Sequence, residues 1–458
     1  MKKHRLAAVC AVVTAGTFTL SVSAGASEEK VSKTETSGGE ETSKEEISEK
    51  ETDKEQTSGE KDETESSGKE TSEGKILNVF SWNEEFKIRM EEYYPGYEAV
   101  DDTTGTIGEV TVKWVIVPES SADYQKELDQ ALLNQASASE EEKIDLFLVE
   151  EEYARKYVET DYAMDLADLG ITEENTAGQF SFTKEYVTDA DGRQKGSAWY
   201  ACPGVLIYNR EIAGEVLGTD EPSKVQESVK DWDTFLETAE AMKEAGYSMT
   251  SSVYDTYRIF AENADGSGNA GDGITAEEHL KEWEEMSKIM ADNQETGTFE
   301  MWSEDWSKGF YPDGGVFCYF GPSWFYEYDM DSDVEGSVAA QGGWAVTEGP
   351  ESFFWGGTWL CAAEGTDNPE LVKNIMLKMT CNKEVLNGIA ASSGDFVNHI
   401  NVMKNYAEDE RFDNAVLGGQ NPVTQILNCA KSLKLGNTSG YGVISAEEFL
   451  DEIKERPQ

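Results

Sequence analysis

The sequence predicts an α/β protein of two lobes, each with its own core. Three observations predict this. Strand-like and helix-like stretches alternate from Ile76 onward. The stretch 76–458 is long enough for two separate cores. Tryptophans and carboxylates gather where the strands are expected to end.

Residues 76–82 alternate in polarity as a strand does, and Asn83 is placed to cap a helix reaching about Tyr94. A second strand, 110–117, is closed by Pro118. Tyr124, Leu128, Ala131, Leu132 and Gln135 fall at helical spacing, and 144–149 is a short apolar strand bounded by charge. The spacing predicts a strand over 204–208 and a helix over 209–217. Asp231 caps a helix whose inner face is Trp232, Phe235, Ala239 and Met242. Residues 263–273 form a Gly/Asn/Asp loop, and Thr275-Ala-Glu-Glu278 is a capping box for a helix through about Met290. Later strands are expected over 315–320, 343–346 and 358–362. Helices follow from Pro369, the last capped by Ser445-Ala-Glu-Glu448.

The first 26 residues read as a signal peptide. Lys2, Lys3 and Arg5 precede an apolar run, and Ala24-Gly25-Ala26 forms the cleavage site. Cys10 sits inside the apolar run behind Val9, which disfavours a lipid anchor there. Plain cleavage after Ala26 is expected instead, with the protein at the cell surface or outside the cell. Residues 27–75 are almost entirely Ser, Thr, Gly, Glu and Lys. So few apolar groups cannot offset chain entropy, so a disordered spacer is expected.

The net charge is −53. Such a field disfavours nucleic acid, anionic lipid and phosphorylated ligands, and suits a neutral or cationic one. Cys202, Cys318, Cys361, Cys381 and Cys429 have no C-x-x-C spacing and are expected as isolated thiols. With His279 and His399 the only histidines beyond the signal, a His-rich metal site is not expected, and no cofactor is implied. Asp329-x-Asp331-x-Asp333 imitates half a calcium loop but has Ala340 where the closing carboxylate should stand.

The chemical signal lies in clusters at expected strand ends. Trp82-Asn83-Glu84 follows the first strand and Glu150-Glu151-Glu152 the third, while Trp199-Tyr200 precedes the fourth. Trp302, Asp305 and Trp306 form another group, Pro322-Ser323-Trp324 the next, and Trp355-Gly356-Gly357-Thr358-Trp359 the last. Ligands of α/β sheets sit at the carboxyl ends of strands. A sugar offers C–H faces to an indole and hydroxyls to carboxylates, so this inventory suits a saccharide cleft. An indole is also a common core residue. Trp82, Trp324 and Trp355 sit in polar or Gly-rich surroundings and read as ligand platforms, whereas Trp114, Trp232 and Trp283 follow periodic patterns and read as core. Glu151 and Glu152 read as a solvated helix start. Glu150 is balanced between the two roles, and Gly356-Gly357 between a turn and a close backbone approach to ligand.

The ordered set of motifs resembles a known family, the extracellular solute-binding proteins (family 1) of carbohydrate-type ABC importers, maltose-binding proteins among them. The resemblance rests on Leu77-Asn78-Val79-Phe80-Ser81-Trp82-Asn83-Glu84-Glu85-Phe86, Ile144-Asp145-Leu146-Phe147-Leu148-Val149-Glu150, Pro203-Gly204 with Leu206-Ile207-Tyr208-Asn209-Arg210, Gly321-Pro322-Ser323-Trp324, and Trp355-Gly356-Gly357-Thr358-Trp359. It covers roughly residues 76–430. It implies a two-lobe fold like the type II periplasmic binding proteins, with an inter-lobe ligand cleft and hinge crossings near 201–204, 343–346 and 392–397. Lobe 1 would be 76–201 and 346–395, and lobe 2 would be 202–345 and 396–458. The implied binding positions are Trp82, Asn83, Glu84, Glu150, Trp199, Tyr200, Trp324, Trp355, Gly356 and Gly357. Trp302 and Trp359 join them from the clusters. The chain departs from the family pattern where Cys429–Leu435 passes through 436–442 straight to a short last helix.

The resemblance implies a monomer that captures a neutral sugar or oligosaccharide and delivers it to the membrane subunits of an ABC permease, without catalysis or nucleic-acid binding. Two readings compete. A secreted glycoside hydrolase would use Glu84 and Glu150 as its carboxylate pair. The same fold could hold a polyamine or other cation drawn by the acidic field.

Overall fold

A computed structural model describes residues 74–118, 121–262, 276–433 and 435. The signal peptide, the spacer up to residue 73, Cys10, the 263–273 loop, the Thr275 capping box and the last helix near Ser445 lie outside the described residues. Nine strands and their helices build two sheets.

The first sheet orders its strands β2-β3-β4-β1-β5-β9. Its centre is the expected strand–helix–strand core: β1 (Ile76–Ser81) pairs in parallel with β4 (Val110–Ile116) and β5 (Leu146–Glu150). Helices Glu85–Tyr93 and Ser121–Asn134 connect them. Burial on both faces explains why β5 reads as an apolar run rather than an alternating one. Two edges differ from a purely parallel reading. A hairpin of β2 (Tyr97–Ala99) and β3 (Thr104–Ile107) pairs antiparallel onto β4. Its strands are short and polar, and Asp101 Oδ1 accepts from the Thr103 N–H at 2.9 Å inside its turn. At the other edge β9 (Thr358–Ala362) runs antiparallel to β5.

Asp145 clips this sheet together. Its Oδ2 accepts from the Asn78 N–H at 2.8 Å, and its Oδ1 from Thr366 Oγ1 at 2.5 Å and Asn368 Nδ2 at 3.1 Å. A buried carboxylate with several donors is satisfied without a cation.

The second sheet orders β7-β6-β8, with β6 (Val205–Asn209) antiparallel to both β7 (Cys318–Gly321) and β8 (Trp344–Thr347). Asn209 starts the next helix, its Oδ1 accepting from the N–H groups of Glu211 and Ile212. Asp231 caps Trp232–Ala245 through a capping box with Thr234, as its position predicts. The expectation of a hinge crossing at 343–346 is corrected here. Those residues run into β8, whose apolar side chains are fully buried in the second sheet, and the chain returns to the first sheet later, over 348–357.

The lobes are joined by extended segments that hydrogen-bond to one another. Outgoing residues 199–204 lie between the returning 353–355 and the third crossing, 396–398. The Trp355 N–H donates to the Cys202 carbonyl at 3.0 Å and the Gly204 N–H to that of Phe353 at 2.8 Å. On the other side the Ala201 N–H donates to the Phe396 carbonyl and the Asn398 N–H to that of Trp199, both at 2.9 Å. Residues 201–204 and 396–397, where crossings are expected, thus lie in this hydrogen-bonded strip.

All five described cysteines are free thiols, as expected. Burial pushes Cys361 and Cys429 up to about 12. Trp114 and Trp283 are core residues, and Trp232 is half-buried with its indole N–H donating to Glu351 Oε2 at 3.0 Å.

Trp359 shows how the first core is fixed. It is 1 % exposed, stacks on Tyr186 at 5.2 Å and donates its indole N–H to the Thr183 carbonyl at 2.8 Å. Removing so large a buried ring costs the transfer energy plus a cavity term. Trp359→Ala is expected to lose about 3–5 kcal/mol of stability in a urea titration. A loss below about 1 kcal/mol would contradict this core placement.

Candidate functional site

The crossings turn the carboxyl end of β5 toward the aromatic segments of the second lobe, and an aromatic–carboxylate junction forms there. On the second-lobe side three expected site residues meet. Trp355 lies 5.0 Å from Trp324 and 5.8 Å from Trp302 between ring centroids, with Phe325 5.8 Å away as their common backing. Trp302 and Trp324 are half-buried, and Trp355 is 7 % exposed. Trp302 holds a left-handed backbone with φ 69°, a conformation costly for a bulky residue and frequent at binding sites.

Gly356 and Gly357 take φ 76° and 126°, which L side chains rarely adopt. A Cβ on Gly356 would approach the Trp324 ring at 3.8 Å, and one on Gly357 would approach Trp359 at 3.2 Å. The pair is both a turn and a point where backbone passes close to indoles.

On the first-lobe side, Trp82 is half-buried and packs edge-on against Tyr124 at 5.6 Å and Tyr153 at 6.1 Å. Asn83 has its Oδ1 engaged by the Glu85 N–H at 3.0 Å, but the helix N-cap is Glu84, which makes no side-chain capping bond, so the cap expected at Asn83 stands one residue early. Glu84 is exposed, 3.8 Å from Lys87. Glu150 closes β5 half-buried. Burial pushes its carboxyl up to about 7, Glu152 and Glu151 add to the shift, and Arg258 opposes it. Tyr200 is half-buried in the first crossing, its hydroxyl 3.2 Å from Thr358 Oγ1.

Two expected site residues are placed elsewhere. Trp359 belongs to the first-lobe core, and Trp199 is fully buried against Phe86 at 5.4 Å. Both lie in or beside the first sheet, where large apolar rings fill the layer under the crossings.

Sequence reasoning missed the residue that joins the two sides. Arg258, on the helix Tyr257–Glu262, places its guanidinium 4.6 Å from the Trp355 ring centroid. It also pairs with Glu151 Oε2 at 3.1 Å and lies 3.6 Å from Glu152 Oε1. Glu151 is accordingly buried, which corrects its reading as a solvated helix start; Glu152 does remain exposed. A lone cation inside an aromatic stretch, Tyr257-Arg258-Ile259-Phe260, was the available signal.

A second group of carboxyls sits toward the third crossing. Glu85 and Arg89 come from the first lobe, Asp395 from the crossing, and Glu327 from the second lobe. Arg89 Nη2 donates to Asp395 Oδ2 at 2.7 Å, and Asn414 Nδ2 donates to Glu327 Oε1 at 3.0 Å. Burial pushes Glu327 up to about 8, helped by the charge of Asp395. Burial and Asp395 likewise raise Glu85 to about 7, against the pull of Arg89.

Among the described residues no group of three His, Cys, Asp or Glu side chains is set to hold a metal ion, and no helix is long and apolar enough to cross a membrane.

The family model described as bacterial extracellular solute-binding protein matches residues 98–416. The chain belongs to the bacterial extracellular solute-binding proteins. Solved structures agree in fold. A family 1 extracellular solute-binding protein shares 16% identity at TM-score 0.62, with 79% of this chain and 88% of that one covered. The sugar-binding protein MalE from Xanthomonas citri shares 13% at TM-score 0.56, with 83% and 90% covered. The ABC transporter associated binding protein from B. animalis subsp. lactis Bl-04, in complex with beta-1,6-galactobiose, shares 19% at TM-score 0.52, with 83% and 89% covered. No curated protein matches the chain significantly. The two-lobe solute-binding fold expected from the sequence is thus the fold of this protein, and its family is one of binding proteins.

The raised carboxyls give a signed pH dependence. A Glu with a folded pKa near 8 and an ordinary value of 4.5 binds protons more tightly when folded. Stability therefore falls as pH rises from about 4.5 to about 8 and levels off above. Glu327→Gln removes the charged form. It is expected to melt a few degrees above wild type at pH 8 and close to wild type near pH 5. Equal melting temperatures at pH 8 would contradict the burial of that charge.

Proposed function

We propose that the protein captures a neutral sugar or oligosaccharide between its lobes and presents it to the membrane subunits of an ABC permease. The observation that carries this reading is the meeting of Trp302, Trp324 and Trp355 at the lobe junction, with Glu150 and Glu151 close by through Arg258. Indole faces cover the C–H faces of a pyranose, while carboxylates and the guanidinium take its hydroxyls. Trp82, Asn83, Glu84 and Tyr200 would extend the first-lobe wall. The MalE protein and the galactobiose-bound protein support the sugar assignment by their fold and their ligands.

The mechanism follows from the hinge. Three extended segments bend as one strip, so the lobes rotate about it as rigid bodies. Ligand shifts an existing open–closed balance toward the closed form, which the permease would receive. Enclosed stacking and hydrogen bonding reach micromolar affinity at about 8 kcal/mol. Export through the N-terminal signal, with 27–75 as a spacer, would leave a monomeric receptor outside the cell.

In this reading the solute is released unchanged. Purified protein is expected to leave oligosaccharides intact.

A thermal-shift panel of neutral mono- and oligosaccharides is expected to give at least one stabilising ligand. Trp324→Ala should weaken that ligand about tenfold or more by calorimetry, about 1.4 kcal/mol. No response across a broad panel, or turnover of a panel member, would overturn the proposal.

A further inference from the structure

We infer that Arg258 sets the charge selectivity of the groove, occupying by itself the position a cationic solute would take. The inference rests on the reading of this junction as the solute site. An indole face beside carboxylates is the arrangement that holds ammonium and guanidinium groups. Here that arrangement is Trp355 with Glu151 and Glu152, and the group it holds is the protein's own. The guanidinium lies 4.6 Å from the ring centroid, 3.1 Å from Glu151 Oε2 and 3.6 Å from Glu152 Oε1. Its charge also reaches Glu150.

Selectivity follows from the charge balance. Three consecutive carboxylates, Glu150 to Glu152, stand at the end of β5 and the start of the helix Glu151–Val158. A chain of net charge −53 draws cations toward its whole surface. Without Arg258 the first-lobe wall would present those carboxylates to the Trp355 face and favour a cation. With Arg258 in place their charge is partly compensated and the ring face is covered on one side. A neutral polyol can then pair with groups that already hold each other's charge, whereas a cation meets a like charge beside the Trp355 face.

The guanidinium is anchored on both sides of the junction, by the indole of the second crossing and by the first-lobe carboxylates. A lysine could keep the charge, but not the flat contact with the ring.

Spermidine binding to the intact protein, read by isothermal titration calorimetry at physiological ionic strength, tests the inference. Wild type is expected to bind spermidine weakly. R258Q is expected to bind it at least tenfold tighter, and the E151Q/R258Q double variant to fall back to within a few-fold of wild type. R258K, which keeps the charge, should stay near wild type. The Arg258 side chain is 26 % exposed, and R258M, which keeps an apolar stem against Trp355, replaces R258Q if that protein does not fold. Equal spermidine affinity in wild type and in the neutral variants would overturn the inference, as would an equal gain in R258K. A sugar panel run on wild type in parallel reports separately on the capture reading. Its failure would show as no sugar response, whatever spermidine does.

Discussion

The structure depends on one strip of backbone hydrogen bonds. Residues 199–204 are held on one side by 353–355 and on the other by 396–398, through N–H···O=C contacts of 2.8–3.0 Å. The strip ties the backbone of the first sheet to that of the second. Backbone bonds suit this task because they set register independently of side chains. The indoles and carboxylates meet because the crossings bring them there.

At that meeting the chemistry is concentrated in a few groups. Indoles from three separated stretches touch around Phe325, and one guanidinium spans from the Trp355 face to Glu151. Toward the third crossing, Arg89 pairs with Asp395 and its charge reaches Glu85, while Glu327 lies in the field of Asp395; burial raises Glu85 to about 7 and Glu327 to about 8. Carboxyls crowded between lobes resist approach when ionised and permit it when protonated. The same junction thus carries apolar attraction, one bridging cation and a set of acids whose charge depends on pH.

Much of the fold was legible because local patterns agreed with the tertiary result. β1, β4, β5 and β9 follow apolar patterning, and Asn209 and Asp231 announce their helices by capping chemistry. The hairpin Tyr97–Ala99 and Thr104–Ile107 was illegible because an edge strand facing water has little apolar signal. β8 was seen as a strand and also assigned to a crossing, since sequence carries no mark of which sheet a strand joins. For the candidate site, Trp82, Trp324 and Trp355 stood out by their loop context and Trp302 by its cluster with Asp305 and Trp306. Trp199 and Trp359 were not separable from them, because an indole looks the same whether it faces a groove or a core. Glu151 and Arg258 escaped because their importance is a pairing across 107 positions of sequence.

The proposed capture requires that indoles of the second lobe and carboxylates of the first close on one solute. A crystal structure grown with the tightest-binding saccharide of a panel tests it most directly. The expected result is a pyranose ring against Trp324 or Trp302, its hydroxyls within hydrogen-bond distance of Glu150 or Glu151, and both lobes in contact with it. A sugar seated on the outer face of one lobe, with the junction of Trp355 and Arg258 undisturbed and solvent-filled around it, would contradict the account.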